Sequence, residues 1–543
     1  MTKSHYFRRA ALIAAVISLY ALPALAKAEA PTTCDTASIQ DAVNHSASIL
    51  SATPATLGAI SYCQVDGRLV KAGDGNKALF EIGLPDPLSW NSRLLVSGNG
   101  GFAGGLSIDT TRLQDGYAVA ATNSGHQSKS GKDASWALHN GKAVKNFDYL
   151  AVHTTAAIAQ TIISAYYVTT TKSFFSYFDG CSTGGRQGLV EASKYPADFN
   201  GIVAGDPNAG NAYLALNWNE SYLLQGTAGY IDLNAATTLD QAVLNECDGL
   251  DGVVDGLIQD PSKCGFNVST LLCAPGQTGG CLSADQVATI QAFYQGPVDT
   301  KGKSLYPGLS PSDPVESASK DSAFADYLTG CRNNPCNYPD FSLAEPWAAF
   351  LFPPDDFNVQ DAFLKYFVFQ DANYDSRSFS FSDQKSINKV VNVLKKYGAG
   401  GTNANLKAFA HLNHKLLIYH GWSDPAFSPF ASVNFFNSAQ ANLGAKTTDN
   451  VRLFMVPGMH HCQGFGPGPN TFDELTPMVQ WVEQGIAPDG IIATHYANDD
   501  PTLSIDRTMP LCSYPEIARY DGVGPLNDAS SWACPSSATS AAP

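Results

Sequence analysis

The stretch Gly180-Cys181-Ser182-Thr183-Gly184 restricts what this chain can fold into more than any other. Gly-x-Ser-x-Gly is the pattern of a nucleophile elbow, a sharp strand-to-helix turn that presents a serine while the glycines leave room for neighbouring backbone. The flanks agree. Ser173 to Phe178 is an aromatic run that reads as a buried strand, Gly184 to Tyr195 reads as a helix ended by Pro196, and Gly201 to Gly205 reads as the next parallel strand. A cysteine precedes the serine, and Cys462 follows His461 some 280 residues later. A Cys181–Cys462 disulfide would hold a nucleophile beside its base.

The same alternation extends outward. Arg93 to Ser97 and Tyr117 to Thr122 read as strands, and Phe147 to Tyr167 carries helical apolar spacing. The rhythm returns with a strand at Lys415 to Gly421, another at Val451 to Val456 and a helix at Leu475 to Glu483. This is the pattern of a parallel sheet with crossover helices. Between residues 209 and 402 it is lost, and that part reads as one large insertion, a lid. The expected organisation is a leader at 1–30, a catalytic domain formed by 31–208 and 403–543, and the lid at 209–402.

Acyl transfer through a serine needs a base to take its proton and an acid to orient that base, in the chain order Ser, Asp, His for this class of sheet. The strand Lys415 to Gly421 leads into Trp422-Ser423-Asp424, and the strand Val451 to Val456 leads into Met459-His460-His461-Cys462. Ser182, Asp424 and His461 are therefore the expected nucleophile, acid and base. Asp206 also follows a strand end and is the alternative acid, and His460 is the alternative base. An oxyanion hole is expected from the backbone N–H of Thr183 and that of Gly101, in the loop Gly98-Asn99-Gly100-Gly101.

Composition narrows the setting. Lys3, Arg8 and Arg9 followed by the apolar run Ala10 to Tyr20 form a secretory leader, with small-residue cleavage candidates near Ala26 and Ala28. An exported or periplasmic location fits twelve cysteines. Their short spacings suggest Cys34–Cys63, Cys247–Cys264, Cys273–Cys281, Cys331–Cys336 and Cys512–Cys534, which leaves Cys181 and Cys462 for each other. A formal net charge of −16 argues against nucleic acid or anionic membranes as partners. The segment Cys247-Asp248-Gly249-Leu250-Asp251-Gly252-Val253-Val254-Asp255-Gly256-Leu257 sets oxygen ligands on a tightly turned backbone, as calcium requires. Its donors would be the carboxylates of Asp248, Asp251 and Asp255 and the carbonyls of Val253 and Leu257; the plain alternative is a series of Asp-Gly turns. No organic cofactor is expected.

Taken together, Cys181-Ser182, Asp424 and His461-Cys462, with Trp90-Asn91, Phe199 to Gly205, Val456-Pro457-Gly458-Met459 and Pro510 through Tyr520, resemble the tannase and feruloyl esterase family. The resemblance implies an α/β-hydrolase fold with a large inserted lid domain, a disulfide between the two catalytic-site cysteines and a structural calcium. It also implies hydrolysis of aromatic acid esters, free or attached to polysaccharide or polyphenol. Feruloyl and other hydroxycinnamoyl esters come first and galloyl esters second. Terephthalate monoesters come third, because the lid arginine that serves those substrates in the family has no match near Phe363 to Phe369, where Lys365 stands instead. Twelve aromatic residues between Phe341 and Phe381 would form lid core and could wall a flat acyl pocket. The rival class is a non-catalytic binding protein on the same scaffold.

Overall fold

The computed structural model describes residues 32–69, 78–128, 130–171, 173–222, 228–231, 233–312, 359–397 and 400–535. Nine strands form one sheet: β1 (Ala47–Leu57), β2 (Ile60–Leu69), β3 (Leu79–Pro85), β4 (Arg93–Ser97), β5 (Ala118–Thr122), β6 (Phe175–Cys181), β7 (Gly201–Gly205), β8 (Lys415–Gly421) and β9 (Val451–Val456). Their order is β1-β2-β3-β5-β4-β6-β7-β8-β9. From β5 to β9 every neighbouring pair is parallel, whereas β1, β2 and β3 extend the sheet antiparallel.

A parallel sheet covered on both faces reads as unbroken apolar runs rather than as an alternating pattern. All seven residues of β8 are buried. Alternate side chains go to opposite layers. Leu416 and Ile418 pack with Phe178, Ile202 and the helices α1 (Ala151–Tyr166), α2 (Thr183–Lys194) and α7 (Pro429–Leu443). Leu417 and Tyr419 pack on the other face with Met478 and Trp481 of α8 (Leu475–Gln484). A two-stranded sheet, β10 (Gly490–Tyr496) with β11 (Ile505–Cys512), lies beyond it.

β7 and β8 are adjacent in the sheet, with Gly201 paired to Lys415, yet the chain between them leaves the sheet entirely. The described part of that excursion carries α3 (Ala212–Tyr222), α4 (Leu233–Cys247), α5 (Ala284–Gln295) and α6 (Gln384–Tyr397). These helices share a second apolar core with Phe102 and Phe147 of the sheet domain and with Phe363 and Phe367.

Several expected elements shift. The elbow strand runs from Phe175 to Cys181, later than its aromatic core, because backbone pairing with β7 continues through Asp179-Gly180-Cys181. The helix expected from Phe147 opens with a π-helical turn, Asn146–Leu150, before α1 begins. The antiparallel strands β1 to β3 and the β10–β11 hairpin were not expected. Five of the six expected disulfides are present: Cys34–Cys63, Cys181–Cys462, Cys247–Cys264, Cys273–Cys281 and Cys512–Cys534. The leader, Cys331–Cys336 and the aromatic residues from Phe341 to Phe357 lie outside the described residues.

Candidate active site

β6 ends at Cys181 and α2 starts at Thr183, so Ser182 alone makes the turn. Its backbone sits at φ 61°, ψ −117°, a conformation few non-glycine residues adopt and one held by surrounding structure. The Ser182 N–H donates to the Gly205 carbonyl at 2.9 Å, and its own carbonyl accepts from Arg186 N–H at 3.0 Å in the first turn of α2. The turn can be this tight because three glycines meet behind it. A Cβ on Gly98 would stand 2.6 Å from the Gly184 Cα and 3.1 Å from the Gly180 Cα. Gly98 begins the loop after β4 that contains Gly101, which takes φ 48°. That loop therefore packs directly on the elbow, and Gln187 of α2 reaches back to accept the Asn99 N–H at 3.0 Å.

Cys181 and Cys462 are bonded, with Cα atoms 6.0 Å apart and a sequence separation of 281. The residues next to them, Ser182 and His461, are thereby fixed near each other, and both are buried. His461 Nδ1 donates to Asp424 Oδ2 at 2.7 Å. Asp424 Oδ1 accepts the N–H groups of Ala426 at 2.8 Å and Phe427 at 3.0 Å. Burial pushes the Asp424 pKa up, but His461 and His420 outweigh it and hold the carboxyl well below the usual range. Burial pushes the His461 pKa down, and Asp424, with a smaller part from Asp206, raises it above the ordinary value.

Of the two expected acids, Asp424 bonds the His461 ring. Asp206 lies close behind: one carboxylate oxygen, an Asp424 oxygen and a His461 nitrogen all fall within 4.8 Å of one another. Asp206 accepts the Gly421 N–H at 2.9 Å, and its other oxygen rests 3.5 Å from the Cys181 sulfur. Burial raises its pKa to about 6, His420 opposing and Asp424 adding. His460 is also buried, and its backbone N–H donates to the Phe465 carbonyl at 2.9 Å. Sequence reasoning did not single out His420, four residues before Asp424 on β8; its fixed spacing to the acid was the available signal.

The insertion closes over the acid loop. Ser310 and Ser312 donate to the Trp422 carbonyl, Ser312 at 2.9 Å, and Ser428 donates to the Gly308 carbonyl. An aromatic chain runs from the histidine outward. Phe427 meets the His461 ring edge-on at 5.0 Å, and Tyr213 lies 6.1 Å from Phe427 and stacks at 5.1 Å on both Phe102 and Phe363. Phe363, Tyr366, Phe367 and Phe379 are buried, so the described part of the aromatic stretch is chiefly core. Lys365, which stands where an arginine was sought, is ion-paired to Asp361 at 2.7 Å.

The loop expected to hold calcium is ordered by its own backbone. Asp248 accepts the N–H groups of Asp255 at 3.2 Å and Gly256 at 3.0 Å, and Asp251 accepts that of Val253 at 2.9 Å. Arg507 of β11 pairs with the Asp255 carboxylate and carbonyl, both at 2.8 Å. Asp251 Oδ2 is buried with no hydrogen-bond partner. Burial, then Asp255 and Asp248, push its carboxyl up to about 6. An unpartnered carboxylate oxygen is what a hard cation would satisfy, although the oxygens of the three aspartates do not all gather within 4.8 Å of one another. Leu257 at the end of the loop reaches the histidine loop: a Cβ on Gly458 would stand 2.8 Å from its Cδ2.

Among the described residues no helix is long and apolar enough to cross a membrane. Residues 63–535 match the family model described as tannase and feruloyl esterase. The chain is 32% identical over 530 residues to an uncharacterised esterase of Xanthomonas campestris pv. campestris, covering 90% of this chain and 85% of the relative. It is 30% identical over 535 residues to the mono(2-hydroxyethyl) terephthalate hydrolase of Piscinibacter sakaiensis, covering 89% and 87%. The crystal structure of feruloyl esterase B from Aspergillus oryzae superposes with a TM-score of 0.74 at 25% identity, covering 90% of this chain and 97% of that one. The matched span takes in the elbow, the acid loop and the histidine loop alike, and the chain belongs to the tannase and feruloyl esterase family, as a carboxylic ester hydrolase with an α/β-hydrolase fold.

Proposed function

We propose that the chain is an exported serine esterase acting on esters of hydroxylated aromatic acids, feruloyl or related hydroxycinnamoyl esters first and galloyl esters second. The observation that carries this reading is the Cys181–Cys462 bond, which links the residue before Ser182 to the residue after a histidine held by Asp424 at 2.7 Å. Ser182 Oγ attacks the ester carbonyl while His461 Nε2 takes its proton, and Asp424 stabilises the imidazolium that forms. The N–H groups of Thr183 and Gly101 receive the oxyanion. His461 then returns the proton to the departing alcohol, and water resolves the acyl-enzyme by the same steps.

The relatives support the acyl preference: among them are probable feruloyl esterases of Aspergillus, alongside the terephthalate monoester hydrolase. The pairing of Lys365 with Asp361 leaves the last substrate class third. A calcium ion held by Asp248, Asp251 and Asp255 with the carbonyls of Val253 and Leu257 would act structurally, neutralising the carboxylates of a loop that abuts the histidine loop.

Ser182→Ala tests the chemistry: kcat should fall by roughly 10⁴- to 10⁶-fold, and labelling by a fluorophosphonate should vanish. Unchanged esterase activity in the variant would refute Ser182 as the nucleophile. The acyl preference is tested by kcat/KM for methyl ferulate, methyl p-coumarate, methyl gallate, a terephthalate monoester and p-nitrophenyl butyrate. Turnover of the butyrate alone would refute it.

A further inference from the structure

We propose that His420 is a positioning residue for the acid–histidine pair: it fixes the Asp424 carboxylate and draws off part of its charge, so that His461 is deprotonated at a lower pH than an isolated pair would allow. This rests on the reading of Asp424 as acid and His461 as base.

His420 lies fully buried near the end of β8. Its Nε2 stands 3.2 Å from Asp424 Oδ2 and 3.1 Å from the Phe427 carbonyl. Both are acceptors, so Nε2 must carry the proton. Its Nδ1 meets Ser432 Oγ of α7 at 2.7 Å, which fixes the ring plane from the far side. The oxygen that His420 reaches is the one that accepts from His461. Asp424 therefore receives two imidazole N–H groups on Oδ2 and two backbone N–H groups on Oδ1.

Two histidines on one carboxylate oxygen compete. A donor to the carboxylate delocalises its charge and weakens its hold on the other imidazolium. The groups facing this carboxylate are few. Asp206 Oδ1 stands 3.8 Å from His420 Nε2 and receives the Gly421 N–H. Tyr306, from the insertion, is buried, and burial, with a smaller part from the charge on Asp424, raises its pKa. With Asp206 and Asp424 so close, His420 is the donor that lies between them. A side chain that merely filled space would need neither the shared oxygen nor the serine behind it.

The test is the pH dependence of kcat for the full chain with the best ester, comparing His420→Phe, His420→Gln and Ser432→Ala. In His420→Phe, Asp424 gives its whole charge to His461, the imidazolium is favoured, and the acid limb should move up by about half a pH unit. We expect kcat to fall about tenfold at unchanged KM. His420→Gln keeps a side-chain N–H for Asp424 and should bring the limb back toward the native position. Should His420→Phe not fold, Ser432→Ala decides, with a smaller shift in the same direction. A folded variant whose acid limb stays in place overturns the proposal, as does a glutamine variant as impaired as phenylalanine. Ser182→Ala, run alongside, keeps the questions apart: if it retains activity the triad reading fails, and if it is inactive while the limb stays fixed only the role of His420 fails.

Discussion

Two groups of aspartates, one fully buried and the other partly so, are neutralised in opposite ways. Asp206 and Asp424 are met by the chain's own groups: His420, His461 and the N–H groups of Gly421, Ala426 and Phe427. Asp248, Asp251 and Asp255 have turn N–H groups and Arg507, yet Asp251 Oδ2 has no partner. Burying a carboxylate is costly unless its charge is compensated. The first cluster is complete as folded and is suited to tuning a proton. The second sets three carboxylates against one guanidinium, is two positive charges short, and would be suited to a divalent ion. Leu257 against Gly458 joins the second to the loop that carries His461.

The sharpest way to break this contrast is to remove one carboxylate from each side. Asp424→Asn should lower kcat on the order of 10⁴-fold with the fold intact, because the imidazole loses its orienting acceptor. Asp251→Asn should leave kcat within a few-fold of native at low temperature and abolish stabilisation by added calcium. Chelation of the native protein should lower Tm, and calcium should restore it. Elemental analysis finding no calcium, together with a Tm indifferent to chelator, would reduce the second cluster to a set of Asp-Gly turns.

The Cys181–Cys462 bond comes next, since it aligns only the first cluster. In the chain-entropy model a cross-link of this span contributes about 5–6 kcal/mol through the unfolded state. Replacing both cysteines by serine should lower Tm and, below that temperature, should lower kcat more than it changes KM, because Ser182 and His461 lose their common tether. The response to chelator should be unaltered. A double variant with native kcat would show that the sheet alone sets the spacing.

Sequence reasoning recovered the first cluster better than the second, and the reason is physical. β8 and β9 begin and end where the apolar runs do, because strands buried on both faces need unbroken hydrophobic stretches. Asp424 and His461 sit just beyond those ends and were legible from that placement. His420 was not, because it stands inside the run Lys415 to Gly421, where a polar residue passes for an interruption of the strand. Of the strands that were not expected, β1 carries a half-buried, mixed pattern over Ala47–Leu57 that gives no clear period. The docking of the aspartate loop was equally hidden, since Arg507 lies 252 residues from Asp255. No local pattern carries such a contact.

A third group pairs histidine with two aspartates, this time near the surface, and it gives the smallest expected effect. His495 of β10 bonds Asp506 through Nδ1 at 2.5 Å and faces Asp499 through Nε2 at 3.2 Å. Asp499 in turn accepts the Asn470 amide at 2.5 Å and the Gly466 N–H at 3.2 Å, which ties it to the chain just after Cys462. Burial pushes the His495 pKa down, but Asp499 and Asp506 raise it above its usual value. A raised histidine pKa adds stability that is fully present below the unfolded value of about 6.5 and is lost as pH rises through the folded value. Solvent reaches Asp506, so screening keeps the contribution to roughly 1 kcal/mol or less. His495→Gln should therefore lower Tm slightly near pH 6 and by less at pH 9, while the acid limb set by His461 stays where it was. Tm curves for native and variant that run parallel from pH 5 to 9 would mean His495 titrates alike in the folded and unfolded chain, leaving charge compensation by histidine to the buried cluster at Asp424.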